Sequence, residues 1–205
     1  MLVNSQEFRR CLTDRASQRH VTIPEPAFEL LEQYLGLLEK WNQKINLTAL
    51  QLTPPTNETL DRLFVEPLEA VSWLEDSPAQ WFDLGSGGGS PAIPIKVAKP
   101  RLNLTMIEAR SRKASFLREA ARLLNLKETK VESVRYQQLT RDHGVRGSVD
   151  LVTARAVRID EEFVELVASL LRTGGRLVLM SSEARDLTPF FRFTNPPGVF
   201  ERCST

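Results

Sequence analysis

The sequence predicts an α/β fold, a mainly parallel sheet flanked by helices and preceded by a helical cap. Two patterns carry that expectation. Up to about residue 76 only helical periodicity is present, whereas from residue 77 short apolar runs alternate with helical stretches at the spacing of right-handed βαβ units. A third pattern is a glycine-rich turn directly after the first apolar run, where an open parallel sheet binds its ligand. At 205 residues, 41% hydrophobic and 26% charged, the chain can bury a substantial core without disulfides or a structural metal.

Taken in order, Phe8 and Leu12 share one face of a short first helix. Over residues 26–47, Phe28, Leu31, Leu35, Leu38, Trp41 and Ile45 recur every three or four positions, the stripe of an amphipathic helix. A third helix is expected over 58–74, after the Pro54-Pro55 break. These helices make up the cap, residues 1–76, packed on a core formed by residues 77–205. In the core, strands are expected over 81–84, 102–107, 130–134, 149–153 and 176–180. Helices are expected over 111–124, where Ala114, Leu117, Ala121 and Leu124 align, and over 160–171, where Phe163, Leu166, Val167 and Leu170 do. Asn195-Pro196-Pro197-Gly198, after the fifth strand, reads as a turn.

Composition removes several classes of chemistry. Cys11 and Cys203 lie near opposite ends and His20 and His143 are the only histidines, so neither a Cys-x-x-Cys site nor a zinc site of ordinary ligands is expected. No Gly-x-Ser-x-Gly elbow is present, which argues against a Ser-His-Asp hydrolase. No apolar run approaches the roughly 20 residues of a membrane span and Met1 to His20 shows no signal-peptide core, so a soluble cytoplasmic protein is expected. Charge is uneven. Residues 1–80 carry 7 Lys and Arg against 12 Asp and Glu, a net −5, and residues 81–205 carry 20 against 14, a net +6. The basic excess concentrates in Arg110, Arg112, Lys113, Arg118 and Arg122, either a surface for a polyanion or a solvated helix face.

The segment richest in chemistry is Asp83-Leu84-Gly85-Ser86-Gly87-Gly88-Gly89-Ser90-Pro91. Glycines between a strand and a helix let backbone approach a ligand closely. Glu108 follows Gly85 by 23 residues at the end of the second strand, where a carboxylate can accept both hydroxyls of a ribose. A dinucleotide fingerprint would place a third glycine where Ser90 stands. Asp83 suits an ammonium better than a pyrophosphate, and Pro91 and Pro94 remove N–H groups from the helix start that would hold phosphate. The pattern Asp-x-Gly-x-Gly-x-Gly therefore favours S-adenosylmethionine over a nicotinamide cofactor, the alternatives being that cofactor or a turn with no ligand. A P-loop is excluded, since no Lys-Thr or Lys-Ser follows the glycines.

With Lys40-Trp41-Asn42-Gln43-Lys44-Ile45-Asn46-Leu47-Thr48, the glycine loop with Pro91 and Ile93-Pro94, and Val152-Thr153-Ala154-Arg155-Ala156, the chain resembles the RsmG/GidB methyltransferases from about Leu30 to Ser182. The resemblance implies a Rossmann-like class I methyltransferase that methylates N7 of a guanine in the 530 loop of 16S ribosomal RNA. It implies that Asp83, Gly85, Gly87 and Ser90 line the methionine end of S-adenosylmethionine, that Glu108 holds the ribose, and that Arg135, Tyr136 and Gln137 border the adenine. Arg155 would lie near the methyl donor, an ion pair with Glu161 or Glu162 being the alternative. Asn46 would close the site from the cap, with a helix carboxyl-terminal cap as its alternative. The implied partner is 16S ribosomal RNA or the small ribosomal subunit, met by a monomer without a membrane. Basic candidates for RNA contact are residues 110–122 and Arg9, Arg10, Arg15 and Arg19.

Guanine N7 carries a lone pair and no proton, so its methylation needs neither a general base nor a nucleophile, consistent with a site that lacks catalytic His and Cys. The chain departs from the family pattern at Leu63, where a histidine is usual, at Glu66 in place of Asp, at Ala92 in place of Gly, and at Gln137 in place of an acid. The tail is expected to be short, with only Phe190 to Phe193 and Val199-Phe200 to supply two closing antiparallel strands. Three functions follow: the ribosomal RNA guanine-N7 methyltransferase, a methyltransferase fold with another substrate or weak activity, and a nicotinamide-dependent oxidoreductase.

Overall fold

The computed structural model describes residues 5–141, 145–180, 187, 189–194 and 198–203. Before the sheet come α1 (Ser5–Gln18), α2 (Ala27–Asn42), α3 (Asn57–Leu60) and α4 (Glu66–Ala70), with a π-helical turn, Asp61–Val65, between the last two. Helix α1 is held by Phe8, Leu12 and Ala16, one buried stripe at a spacing of four. Fully burying side chains the size of Phe8 and Leu12 contributes about 1.5–3 kcal/mol each.

The sheet contains β1 (Gln80–Leu84), β2 (Asn103–Ile107), β3 (Thr129–Glu132), β4 (Val149–Arg155), β5 (Leu171–Met180), β6 (Phe191–Thr194) and β7 (Val199–Arg202), in the order β3-β2-β1-β4-β5-β7-β6. The first five strands pair parallel, and β7 joins β5, and β6 joins β7, antiparallel. Trp81, Phe82, Asp83 and Leu84 are all buried, as a central strand covered on both faces requires. Between the strands lie α5 (Ala92–Ala98), α6 (Ser111–Leu123) and α7 (Glu161–Leu170). One face packs with α1, α2, α5 and α6 around Trp81, Leu104 and Phe116, and the other packs with α7 around Phe82, Leu84 and Phe163. The chain order reverses between β1 and β4, so the crevice at the carboxyl ends of these two strands is the switch point of the sheet.

Two helices differ from the sequence expectation, each for a local reason. The helix expected over 26–47 stops at Asn42, because the Asn42 side chain captures the backbone of the residues that would continue it: its Oδ1 accepts from the N–H groups of Leu47, 2.9 Å, and Thr48, 3.0 Å. The helix expected over 58–74 runs unbroken from Asn57 but ends at Ala70 and widens to a π-helical turn over Asp61–Val65, ahead of Pro67, which has no N–H to donate to the fourth carbonyl behind it, that of Leu63. The expected tail strands exist as β6 and β7, and Gly198 sits in the left-handed region before β7. Asn195, Pro196 and Pro197, His143, and Ser181 and Ser182 lie outside the described residues. Among the described residues no helix is long and apolar enough to cross a membrane.

Candidate active site

A cleft of about 780 Å³ opens at the switch point, between the glycine loop on one side and the amino-terminal helices on the other. Of the residues singled out in the sequence, Gly85, Gly87, Ser90, Glu108 and Arg155 line it. Asp83 lies at the end of β1, two residues before the first of them. On the opposite wall are Leu47, Thr48, Ala49, Leu50 and Gln51, the segment folded back by Asn42.

Asp83 is 1% exposed. Strand register places it beside Thr153 on β4, whose hydroxyl donates to Asp83 Oδ1 at 2.5 Å and accepts from the Trp81 indole at 2.9 Å. The other carboxylate oxygen, Oδ2, is buried with no hydrogen-bond partner among the described residues. Burial pushes the Asp83 carboxyl up to about 6, which the Thr153 hydroxyl bond and the Arg155 charge partly oppose. A buried carboxylate oxygen left without a donor is costly by itself and is satisfied by a cationic ligand.

The loop after β1 depends on its glycines. Gly85 has φ +73°, and a Cβ there would lie 2.9 Å from Val157 Cγ1; Gly89 has φ +91°, and a Cβ there would lie 2.5 Å from Ile93 Cδ1 on α5. Glu108, at the end of β2, holds the loop in place: Oε2 accepts from Gly87 N–H at 2.9 Å and Oε1 from Arg110 N–H at 2.8 Å. Each oxygen has a second lone pair, so the carboxylate can fix the loop and still accept from a ribose.

The remaining contacts tie the loop and the end of β4 to the amino-terminal helices. The buried Tyr34 hydroxyl of α2 donates to the Gly88 carbonyl at 2.6 Å, and burial holds that phenol in its neutral form. The π-helical turn and Pro67 leave the Arg62 and Leu63 carbonyls without the usual helical donors. Ser90 donates to the Leu63 carbonyl at 3.0 Å, and the Arg155 guanidinium donates to the Arg62 carbonyl. Arg155 also donates to Ser90 Oγ and pairs with Glu66 at 3.3 Å, so the ion pair considered with Glu161 or Glu162 is replaced by one across the cleft. Burial lowers the Arg155 pKa, against the pull of Glu66. Ala156, next in the chain, takes the left-handed φ of +55°, a conformation rarely adopted by alanine and found where a site dictates the backbone.

Other residues named from the sequence lie elsewhere. Asn46 is exposed and is not among the cleft residues; α2 ends before it, with Gln43 as its carboxyl-terminal cap. Asn42 does the work of closing the segment, its Nδ2 also donating to the Thr48 carbonyl at 3.0 Å. Its signal was an asparagine in phase with the last turn of the helical stripe. Arg135, Tyr136 and Gln137 are also absent from the cleft lining: the Tyr136 ring packs edge-on against Phe163 at 5.9 Å, and Gln137 borders a separate hollow of about 310 Å³ beside Glu162 and Leu166.

Comparison with known proteins agrees with this geometry. The model of the GidB family, described as rRNA small subunit methyltransferase G, matches residues 27–187. The chain belongs to the GidB family. It is 34% identical to the ribosomal RNA small subunit methyltransferase G of Chloroflexus aggregans over 179 residues, covering 87% of this chain and 73% of that protein. It is 35% identical to the enzyme of the same name from Roseiflexus castenholzii over 159 residues, covering 77% of this chain and 66% of that protein. The chain thus spans about two thirds to three quarters of the length of these relatives. YhhF of Escherichia coli, solved as a candidate methyltransferase, shares the fold at a TM-score of 0.51 and 16% identity, covering 66% of this chain and 82% of that one.

Proposed function

We propose that this GidB-family chain transfers a methyl group from S-adenosylmethionine to N7 of a guanine in the 530 loop of 16S ribosomal RNA, within the small ribosomal subunit. Family membership supports the reaction class, and one observation carries the cofactor: the buried Asp83 oxygen that has no donor among the described residues, at the end of the strand that feeds the glycine loop lining the cleft. S-adenosylmethionine, when bound, supplies a methyl group on a positively charged sulfur and an ammonium group on its amino-acid end. Asp83 would answer the ammonium and Glu108 the ribose. Gly85, Gly87 and Ser90 form the wall between them.

The rest of the chemistry is positioning. An N7 lone pair attacks without prior loss of a proton, so holding two reactants in line is the chief contribution, and orientation of this kind is worth up to roughly 7–11 kcal/mol of barrier. Arg155, fixed by Glu66, Ser90 and the Arg62 carbonyl, is the cation at the end of β4 and holds cofactor or guanine in place. Residues 1–76 act as a cap that supplies the facing wall.

The test is transfer of a labelled methyl group to small subunits from cells that lack this modification, with the base located by nuclease digestion and mass spectrometry. A single 7-methylguanosine in the 530 loop is expected. Transfer to another base, or none despite binding of S-adenosylhomocysteine, would overturn the substrate assignment.

A further inference from the structure

The sequence left two basic surfaces as candidates for RNA contact, and the structure separates them. On α1 and in the turn that follows it, Arg9 pairs with Glu25, Arg15 with Asp61 and Arg19 with Glu69 at 3.0 Å. Arg15 is held twice, its Nε donating to Asp61 Oδ1 at 2.9 Å, and Arg9 also covers the Phe28 ring at 4.8 Å. These three arginines fasten the first helix to Glu25, Asp61 and Glu69, which compensate their charge; Arg10, the fourth, is exposed and reaches no carboxylate among the described residues.

Helix α6 is the opposite case. Among the described residues, Arg110, Arg112, Lys113 and Arg122 reach no carboxylate within ion-pair distance. The first turn contains no acid and no side-chain cap, so Arg112 and Lys113 add their charge to the positive end of the helix dipole. Glu119, the one acid on α6, accepts from the Trp41 indole at 3.2 Å. Arg110 and Lys113 line the mouth of the cleft, and Arg112 and Arg122 are exposed along the helix leading away from it. Uncompensated cations that begin at a cleft and continue outwards for ten residues match the spaced negative charge of a nucleic-acid backbone.

We infer that the exposed face of α6, from Arg110 to Arg122, carries the phosphodiester backbone of the RNA substrate and that α1 does not. The inference rests on the function proposed above for the substrate class, and its test reads binding separately from methyl transfer. A fluorescein-labelled 16S RNA hairpin containing the 530 loop is titrated by anisotropy over a series of salt concentrations. The proteins are the wild type, the double variant Arg112→Gln/Arg122→Gln and the control Arg9→Gln/Arg19→Gln. Neither pair lines the cleft, so S-adenosylhomocysteine binding reports that each variant is folded.

For the α6 variant the expected result is an affinity lower by roughly tenfold near 0.15 M salt, with the log–log salt slope reduced by about 1.5 as two phosphate contacts are lost. The α1 control stays within twofold of wild type. An α6 variant with wild-type affinity and slope, an α1 variant equally impaired, or a wild type that fails to bind the hairpin overturns the inference. RNA binding that depends on α6 without any methyl transfer leaves the surface standing and refutes the proposed reaction instead.

Discussion

Arg155 at the end of β4 and Glu66 at the start of α4 face each other at 3.3 Å across the boundary between the sheet and the amino-terminal helices. The cation is mostly buried and the acid about a third exposed, so solvent weakens the pair without abolishing it. Glu66→Gln is expected to cost about 1 kcal/mol in urea unfolding, and a double-mutant cycle with Arg155→Ala should give a coupling of about the same size. Additive effects would mean the two side chains do not interact in solution.

Asp83 gives the protein a pH signature. Its folded pKa of about 6 stands above the unfolded value near 3.8, so its contribution to stability is full at low pH and is lost as pH rises through 6. Between pH 5 and 7 the ligand-free wild type should lose about 1 kcal/mol that Asp83→Asn does not lose. A cationic ligand favours the ionised form, so S-adenosylhomocysteine should bind more tightly from pH 5 to 7 with release of a proton, measurable by calorimetry in buffers of different ionisation enthalpy. Asp83→Asn should flatten that dependence.

Asn42 and Asn46 separate a structural asparagine from an exposed one. Asn42→Ala removes three hydrogen bonds that fold the 47–48 segment onto the cleft and should cost about 2–3 kcal/mol, with a loss of methyl transfer. Asn46→Ala should stay within about 0.5 kcal/mol of wild type by thermal unfolding.

Gly89→Ala should be among the most damaging small substitutions. The new methyl group would meet Ile93 Cδ1 at 2.5 Å with the backbone at φ +91°, so a loss of more than about 2 kcal/mol is expected, read from the denaturant midpoint. Gly36→Ala, where a Cβ meets nothing within 4 Å and the residue sits within α2, should stabilise by about 0.5–1 kcal/mol and serves as the control.

The parts of the fold that were legible were those written in local pattern. The five parallel strands follow from apolar runs, and the meeting of Gly85, Gly87 and Glu108 at one cleft, with Asp83 on the strand leading to it, from their spacing around one strand-to-helix turn. What escaped was set by contacts distant in sequence. Tyr34 looks like one more apolar residue of the α2 stripe, yet its hydroxyl reaches Gly88 fifty-four positions away. Glu66 reads as a departure from a family acid, but its carboxylate still reaches Arg155. The segment 135–137 follows β3, as expected, but Tyr136 is drawn to the ring of Phe163, a preference no spacing rule contains. Asn42 and Asn46 share one motif, and only the place where the helix ends distinguishes them.

Pro67 has a bearing on how such a molecule can change. Together with the π-helical turn before it, the amide it withholds leaves acceptors at Arg62 and Leu63 that are met by donors from Arg155 and Ser90, residues encoded well downstream. A residue with an amide at position 67 could satisfy one of those acceptors itself, so a chimera joining the first seventy-odd residues of a relative with such a residue to the remainder of this chain would leave one downstream donor without its partner. The two portions of the gene are thus bound to a common inheritance by a hydrogen bond that a single proline cannot make.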